Sequence, residues 1–180
     1  MQTEQLWVVA GTAYAMLLGG AIGLEREFKN RPAGFRTHML VAGASALLVG
    51  LGQLVAADPR FRLPFLVNID PLRLVEAVVA GVSFIGAGTI FARRSGPAVA
   101  GITTAASLLM VAVIGACTGL HYYVLALAAT ALTLGVLTLL NVVERKIGSK
   151  SPPHRDDGEH EDRVHGERAG RDRDRRGPPR

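Results

Sequence analysis

Charged side chains are scarce before residue 144, and their positions are the first guide to chemistry. Gly23-Leu24-Glu25-Arg26-Glu27 closes one apolar run, and Arg31-Pro32-Ala33-Gly34-Phe35-Arg36-Thr37-His38 opens the next. Glu25 and Glu27 are expected to follow the last turn of a helix, where exposed carbonyls carry partial negative charge and disfavour carboxylates. Arg36 stands near a helix start, where a cation is equally misplaced. Two helix ends that both carry the wrong sign make sense if they face each other and pair, with Pro32-Ala33-Gly34 holding the turn in register. Glu25, Arg26, Glu27, Arg36 and His38 are therefore the first candidate site, a charged cluster suited to engaging a cation or a partner.

A second cluster is Asp70, Arg73 and Glu76, in Asp70-Pro71-Leu72-Arg73-Leu74-Val75-Glu76. Asp70 suits an N-cap and Pro71 the first helical position. Arg73 and Glu76 are one turn apart and can pair. Glu76 lies one turn inside an apolar run, and at a bilayer centre a charge would cost about 2.5–3.5 kcal/mol. Structural pairing and a ligand- or proton-handling role both stay open there.

The third feature is Gly81-Val82-Ser83-Phe84-Ile85-Gly86-Ala87-Gly88-Thr89. Ala87 stands where a phosphate-binding loop needs its lysine, and Ile85 where a nucleophile elbow needs its second glycine. Two readings remain. One is tight helix packing, with hydroxyls bonded to backbone carbonyls. The other is a helix broken near Gly86 and Gly88, whose freed carbonyls would line a path together with Thr89, Thr103, Thr104 and Ser107.

The elements that position these residues follow from the charge distribution. The 180 residues are 49% hydrophobic and 19% charged, and 20 of the 35 charged residues fall in the last 37 positions. An apolar body with a polar tail excludes a soluble enzyme with an ordinary core, and a single Cys excludes a disulfide scaffold. The apolar body holds few basic residues, so no nucleic-acid partner is expected. A spanning helix needs about 20 mostly apolar residues. Runs 6–24, 39–57 and 74–92 meet that need, the last interrupted only by Glu76. Run 99–143 has no Asp, Glu, Lys or Arg, and as one helix it would reach roughly 67 Å, more than twice the hydrocarbon layer. It must fold back at Gly119-Leu120-His121. The expected fold is an all-α membrane bundle of five helices, about 6–24, 38–57, 73–92, 99–119 and 122–143, within a 1–143 transmembrane domain.

Lys and Arg in the short loops set orientation. Arg26, Lys29, Arg31, Arg36, Arg93 and Arg94 fall on one side, and Arg60, Arg62 and Arg73 on the other. The N-terminus is expected outside and the C-terminus in the cytoplasm of a bacterial inner membrane. The first run lacks a basic n-region and continues past Ala13-Tyr14-Ala15, so it is expected to stay as a helix rather than be cleaved. Residues 144–180 have too little apolar surface to offset ordering entropy and are expected to be a disordered cytoplasmic tail. Gly11, Ala15, Gly19 and Gly23 recur at intervals of four, a stripe suited to a neighbouring helix or to homo-oligomerisation. Thr103, Ser107, Gly115 and Gly119 repeat that period further on.

Five motifs in order carry a resemblance: Gly-Leu-Glu-Arg-Glu (23–27), Pro-Ala-Gly-Phe-Arg-Thr-His-Met-Leu-Val (32–41), Asp-Pro-x-Arg (70–73), Phe-Ile-Gly-Ala-Gly-Thr-Ile (84–90) and Gly-Ile-Thr-Thr-Ala-Ala-Ser-Leu (101–108). Over about residues 10–140 the chain resembles the membrane domain of the MgtC/SapB family of bacterial inner-membrane proteins. The resemblance implies five membrane helices and a link to magnesium homeostasis and adaptation to low magnesium. The chain departs from the family pattern at Glu76-Ala77 (usually Ala-Gln), Ser83 (usually Gly), Leu109 (usually Trp) and His121, in a turn usually rich in glycine. MgtC-type members carry an ACT-like cytoplasmic domain after the last helix; here the charged tail follows, and functions of that domain are expected to be absent.

Mg²⁺ keeps an octahedral oxygen shell and dehydrates reluctantly, so a path needs carboxylates or carbonyls around a hydrated ion. The apolar runs offer one carboxylate, Glu76, and a few hydroxyls. No His/Glu zinc pair, Ser/His pair within the helices or paired Asp points to an enzyme. The expectation is therefore a non-enzymatic protein without a cofactor, with Mg²⁺ as its ligand or transported ion. Its expected partners are the bilayer and another inner-membrane complex. A regulatory role is favoured over a passive carrier or channel.

Overall fold

The computed structural model describes residues 2–61, 70–91 and 101–148, without the side chains of residues 61, 71 and 140–148. Five α-helices make up nearly all of it: α1 (Gln2–Phe28), α2 (Phe35–Ala57), α3 (Pro71–Phe91), α4 (Ile102–Gly119) and α5 (Tyr123–Gly148). A 3₁₀ turn, Pro59–Phe61, follows α2. The described residues up to Asn141 form one compact unit. Helices α1 to α4 are each long and apolar enough to span a hydrocarbon layer, and the apolar part of α5 covers Tyr123–Leu139. With one apolar helix after another and polar groups confined mainly to their ends, this is an all-α membrane bundle. The loop residues Arg62, Arg93 and Arg94 and residues 149–180 of the expected disordered tail lie outside the described residues, whereas α5 continues through 144–148, which were expected to belong to that tail.

With α4, helix α2 shares the centre of the bundle, in contact with α1, α3 and α4. Its Ala42 is fully buried and approached from two sides. A Cβ at Gly19 of α1 would stand 2.7 Å from Ala42 Cβ and 2.6 Å from His38 O. A Cβ at Gly115 of α4 would collide with Ala42 O and stand 2.9 Å from Ser45 Cβ. Lipid tails are as apolar as the helices, so close backbone approach and van der Waals packing must supply cohesion. Glycine at these two positions permits it. The stripe Gly11, Ala15, Gly19, Gly23 is thus buried inside the chain, with Gly19 and Gly23 against α2 and Gly11 against Tyr123 and Thr118. It is not a surface offered to a second copy. Gly115 and Gly119 of the α4 stripe also pack on α2, whereas Thr103 is exposed.

The connectors show how the apolar runs end. At the end of α4, Tyr122 N donates to Cys117 O and His121 N to Thr118 O, both at 2.9 Å, with His121 in the left-handed region (φ 65°). This is a Schellman cap, with histidine where glycine is favoured. It folds the 45-residue apolar run back on itself at the expected place. Asn30 (φ 51°) closes α1 in the same way, with Arg31 N donating to Arg26 O and Asn30 N to Glu27 O, both at 3.0 Å.

Several features differ from the sequence expectation. Helix α1 runs through Glu25-Arg26-Glu27 to Phe28, and α2 starts at Phe35, so the charges lie within helical turns instead of beside them. Helix α3 is continuous from Pro71 to Phe91 and is not broken near Gly86 or Gly88. Thr89 Oγ1 returns its proton to Gly86 O at 2.7 Å, which occupies the very carbonyl that a break would free.

Candidate functional site

The α1–α2 connection and the start of α4 build one polar cluster. Glu27 sits on the last turn of α1, where its charge is unfavourable to its own helix. Its carboxylate Oε2 accepts from Phe35 N at 2.7 Å, at the start of α2. Gly34, the N-cap of α2, provides no side-chain cap, and Glu27 substitutes for it. The misplaced acid thus serves the neighbouring helix, whose N-terminal amides favour a negative charge. Glu25 pairs with Lys29 one turn on, and Lys29 Nζ also donates to Leu137 O of α5 at 3.3 Å.

Arg26 points inward and is 3% exposed. Its Nη2 donates to Thr104 Oγ1 of α4 at 2.9 Å. His38, fully buried, lies one turn into α2. Its Nδ1 is 2.9 Å from Gly34 O, a carbonyl that can only accept, so Nδ1 carries a proton. Its Nε2 is 3.1 Å from Ser107 Oγ, which in turn lies 2.8 Å from Thr104 O. Ser107 has one hydroxyl proton for these two acceptors. That proton can point to Thr104 O or to Nε2, and in either orientation Ser107 links the imidazole of α2 to α4.

Arg26 Nε and Glu25 Oε2 are buried without a hydrogen-bond partner among the described residues. Together these contacts tie α1 to α2, α4 and α5, and α2 to α4, at one end of the bundle.

The structure thus joins Glu25, Arg26, Glu27 and His38 at this end and adds Thr104, Ser107 and Lys29. Arg36 is exposed and makes no ion pair with Glu25 or Glu27 among the described residues, so the expected pairing across the loop is made by a backbone amide instead. Thr103 is exposed and apart from the network. A Cβ at Gly86 would stand 3.2 Å from Ala105 Cβ, whereas a Cβ at Gly81 or Gly88 would meet nothing within 4 Å.

The second cluster lies at the opposite end. Asp70 Oδ1 accepts from Leu72 N at 2.9 Å, an N-cap for α3. Arg73 and Glu76 are both exposed and are not paired with each other among the described residues. Asp58, at the end of α2, is bound to Arg60 through Nε and Nη2, the latter at 2.6 Å. These hydrogen bonds hold the Asp58 carboxyl below the usual carboxylate range. Among the described residues no group of three His, Cys, Asp or Glu side chains is placed to hold a metal ion.

Residues 13–146 match the MgtC family. The chain is 38% identical to Protein SapB of Bacillus subtilis over 136 residues, 74% of this chain and 56% of that protein. It is 34% identical over 142 residues to "Putative magnesium transporter YhiD" of Escherichia coli, 76% of this chain and 62% of that protein. Protein MgtC of Brucella abortus is 39% identical over 128 residues, 71% of this chain and 49% of that protein. The chain therefore spans less than two thirds of the length of these relatives. No solved structure gives a significant match.

Proposed function

The chain belongs to the MgtC family, and from that premise we propose that it takes part in magnesium homeostasis in the bacterial inner membrane by acting on other membrane machinery. The link to magnesium is supported by the family resemblance and by the printed name of one relative, "Putative magnesium transporter YhiD". The regulatory reading is carried by one observation. Hydroxyls along the bundle bond to carbonyls of their own helices: Ser45 to Val41 O, Thr118 to Ile114 O, Thr130 to Ala126 O and Thr133 to Ala129 O, all between 2.7 and 2.9 Å. Between the helix ends these neutral hydroxyls are joined by a single carboxylate among the described residues, Glu76, which is little charge to set against stripping the water shell of Mg²⁺. The buried charge is gathered at one end instead, where Arg26 and His38 brace a surface that carries Glu27, Arg31 and Arg36. That end is where Lys and Arg place the cytoplasm, with the N-terminus outside. A surface of this kind suits contact with a second protein. The alternative, a passive carrier or channel for Mg²⁺ or another small solute, is favoured by the YhiD name.

The test is growth in limiting Mg²⁺. Loss of the protein is expected to impair growth there and to leave it unchanged when Mg²⁺ is ample. Arg36→Gln is expected to reproduce the defect while the protein still accumulates in the membrane, because Arg36 is exposed and holds no helix in place. Equal growth of parent and deletion strain in limiting Mg²⁺ would refute the magnesium role. Reporter fusions active only in the cytoplasm should work after Lys150 and fail after His121, and the reverse would overturn the orientation.

A further inference from the structure

We propose that Arg36 and Arg31 hold the headgroup of an anionic phospholipid at the membrane edge, where the exposed faces of α1 and α2 end. Arg36, Leu40, Leu47 and Leu51 follow one another at spacings of four, seven and four, which keeps them on one face of α2. All four are exposed, whereas His38, Ala42 and Val49 on the other side of the helix are fully buried. Leu17, Leu24 and Phe28 form a matching exposed stripe on α1, ending in Phe28 at 79% exposure. A Cβ at Gly20 would stand 3.0 Å from the Phe35 ring and 3.1 Å from Met39 Cγ, so the two helices close on each other between the stripes.

These stripes define what surrounds Arg36. Both helices are long and apolar enough to span the hydrocarbon layer, so the exposed leucines on the same face meet acyl chains. One turn separates Arg36 from Leu40, which puts the guanidinium where acyl chains give way to headgroups. A soluble protein approaches from beyond the helix ends. A phospholipid presents its phosphate on this side of the helix, directly above its own chains.

Charge selects an anionic lipid. Arg31 and Arg36 are both exposed and make no ion pair among the described residues. They leave the same turn: Arg31 N donates to Arg26 O at 3.0 Å and Phe35 N to the Glu27 carboxylate at 2.7 Å, which anchors both to adjacent residues of α1. Glu27 is thereby engaged, and Glu25 is paired with Lys29. The unpaired groups are cationic, which suits a phosphate diester without an ammonium of its own, such as phosphatidylglycerol, better than a zwitterionic headgroup. A guanidinium meets phosphate oxygens through two parallel N–H donors. Phe28 adds an aromatic ring at the depth where such rings are enriched. The site lies at the membrane edge of the surface proposed above for a protein contact and does not depend on that reading.

Quenching by brominated lipids, with the full chain in vesicles, tests this. Trp7, the single tryptophan, is changed to phenylalanine, and Leu24→Trp or Leu132→Trp then places a reporter on the α1 stripe or on the exposed side of α5. Lys29 Nζ reaches Leu137 O, so Leu24 and Leu132, each five residues further into the span, lie at similar depth. In vesicles of phosphatidylcholine and phosphatidylglycerol with one or the other brominated, quenching gives the preference of each position for phosphatidylglycerol. The preference at Leu24→Trp should exceed that at Leu132→Trp about fivefold and fall to the α5 value when Arg31→Gln and Arg36→Gln are combined. Phe28→Trp, an aromatic exchange at an open position, keeps the test valid if Leu24→Trp does not accumulate. Equal preferences on α1 and α5, or a preference on α1 that survives both arginine substitutions, would overturn the site.

Discussion

Thr104→Val keeps the shape of the side chain and removes the hydroxyl to which Arg26 Nη2 donates at 2.9 Å. Arg26 is 3% exposed and its Nε already lacks a partner among the described residues, so the loss leaves a buried cation with no side-chain acceptor there. Hydrogen bonds to charged groups contribute about 1.5–3 kcal/mol, which sets the expected cost of this substitution. Arg26→Met replaces the cation with an apolar chain of similar length and leaves Thr104 Oγ1 without its donor. In the Arg26→Met background, Thr104→Val should therefore cost little. The coupling in the double-mutant cycle should be about 1.5–3 kcal/mol, roughly 10- to 100-fold in the unfolding equilibrium. The assay is SDS-titrated unfolding in mixed micelles, followed by circular dichroism of the helices. Equal costs of Thr104→Val in both backgrounds would refute the reasoning that this hydroxyl serves the buried cation.

Gly19→Val and Gly115→Val should each destabilise by about 1–3 kcal/mol or more through overpacking against α2, whereas Gly135→Val, with nothing within 4 Å, should leave the melting temperature nearly unchanged. His121→Gly removes the cost of a non-glycine residue in the left-handed region, about 1–2 kcal/mol, offset by glycine's entropy and the lost edge contact with Tyr123; thermal unfolding should show a gain of up to about 1 kcal/mol. The Asp58 carboxyl, titrated by NMR, should lie below its usual range and return toward it in Arg60→Gln. Because its folded value is depressed, any stability it contributes is present above the unfolded value near 3.9 and is lost as pH falls through the folded one, so no change is expected between pH 5 and 8.

Much of the fold is legible in apolar run lengths. The absence of charge over 99–143 forced a reversal, and Gly119-Leu120-His121 supplied it through a Schellman cap. Helix ends were less legible, because α1 carries its charges on its last turn and hydropathy stops short of them. Glu27 illustrates why the site was only half readable. Its wrong sign signalled a partner, but which group answers depends on how closely α1 and α2 pack, and the Phe35 amide reached the carboxylate where Arg36 did not. Thr104 and Ser107 sit three apart on one face of α4, a visible signal of a shared role, yet their partners Arg26 and His38 are 78 and 69 residues away and are set by tertiary packing. The dense glycines of α3 left broken and packed helices open. Their roles separate only in three dimensions, with Gly86 against Ala105 and Gly81 and Gly88 open.

The most direct measurement of the proposed mode of action is Mg²⁺ entry into proteoliposomes that contain the purified full chain and an internal Mg²⁺ indicator. Action on other membrane machinery predicts entry no faster than into protein-free liposomes, even with a membrane potential imposed. Entry that rises in proportion to the amount of protein would contradict it and establish the chain as a carrier.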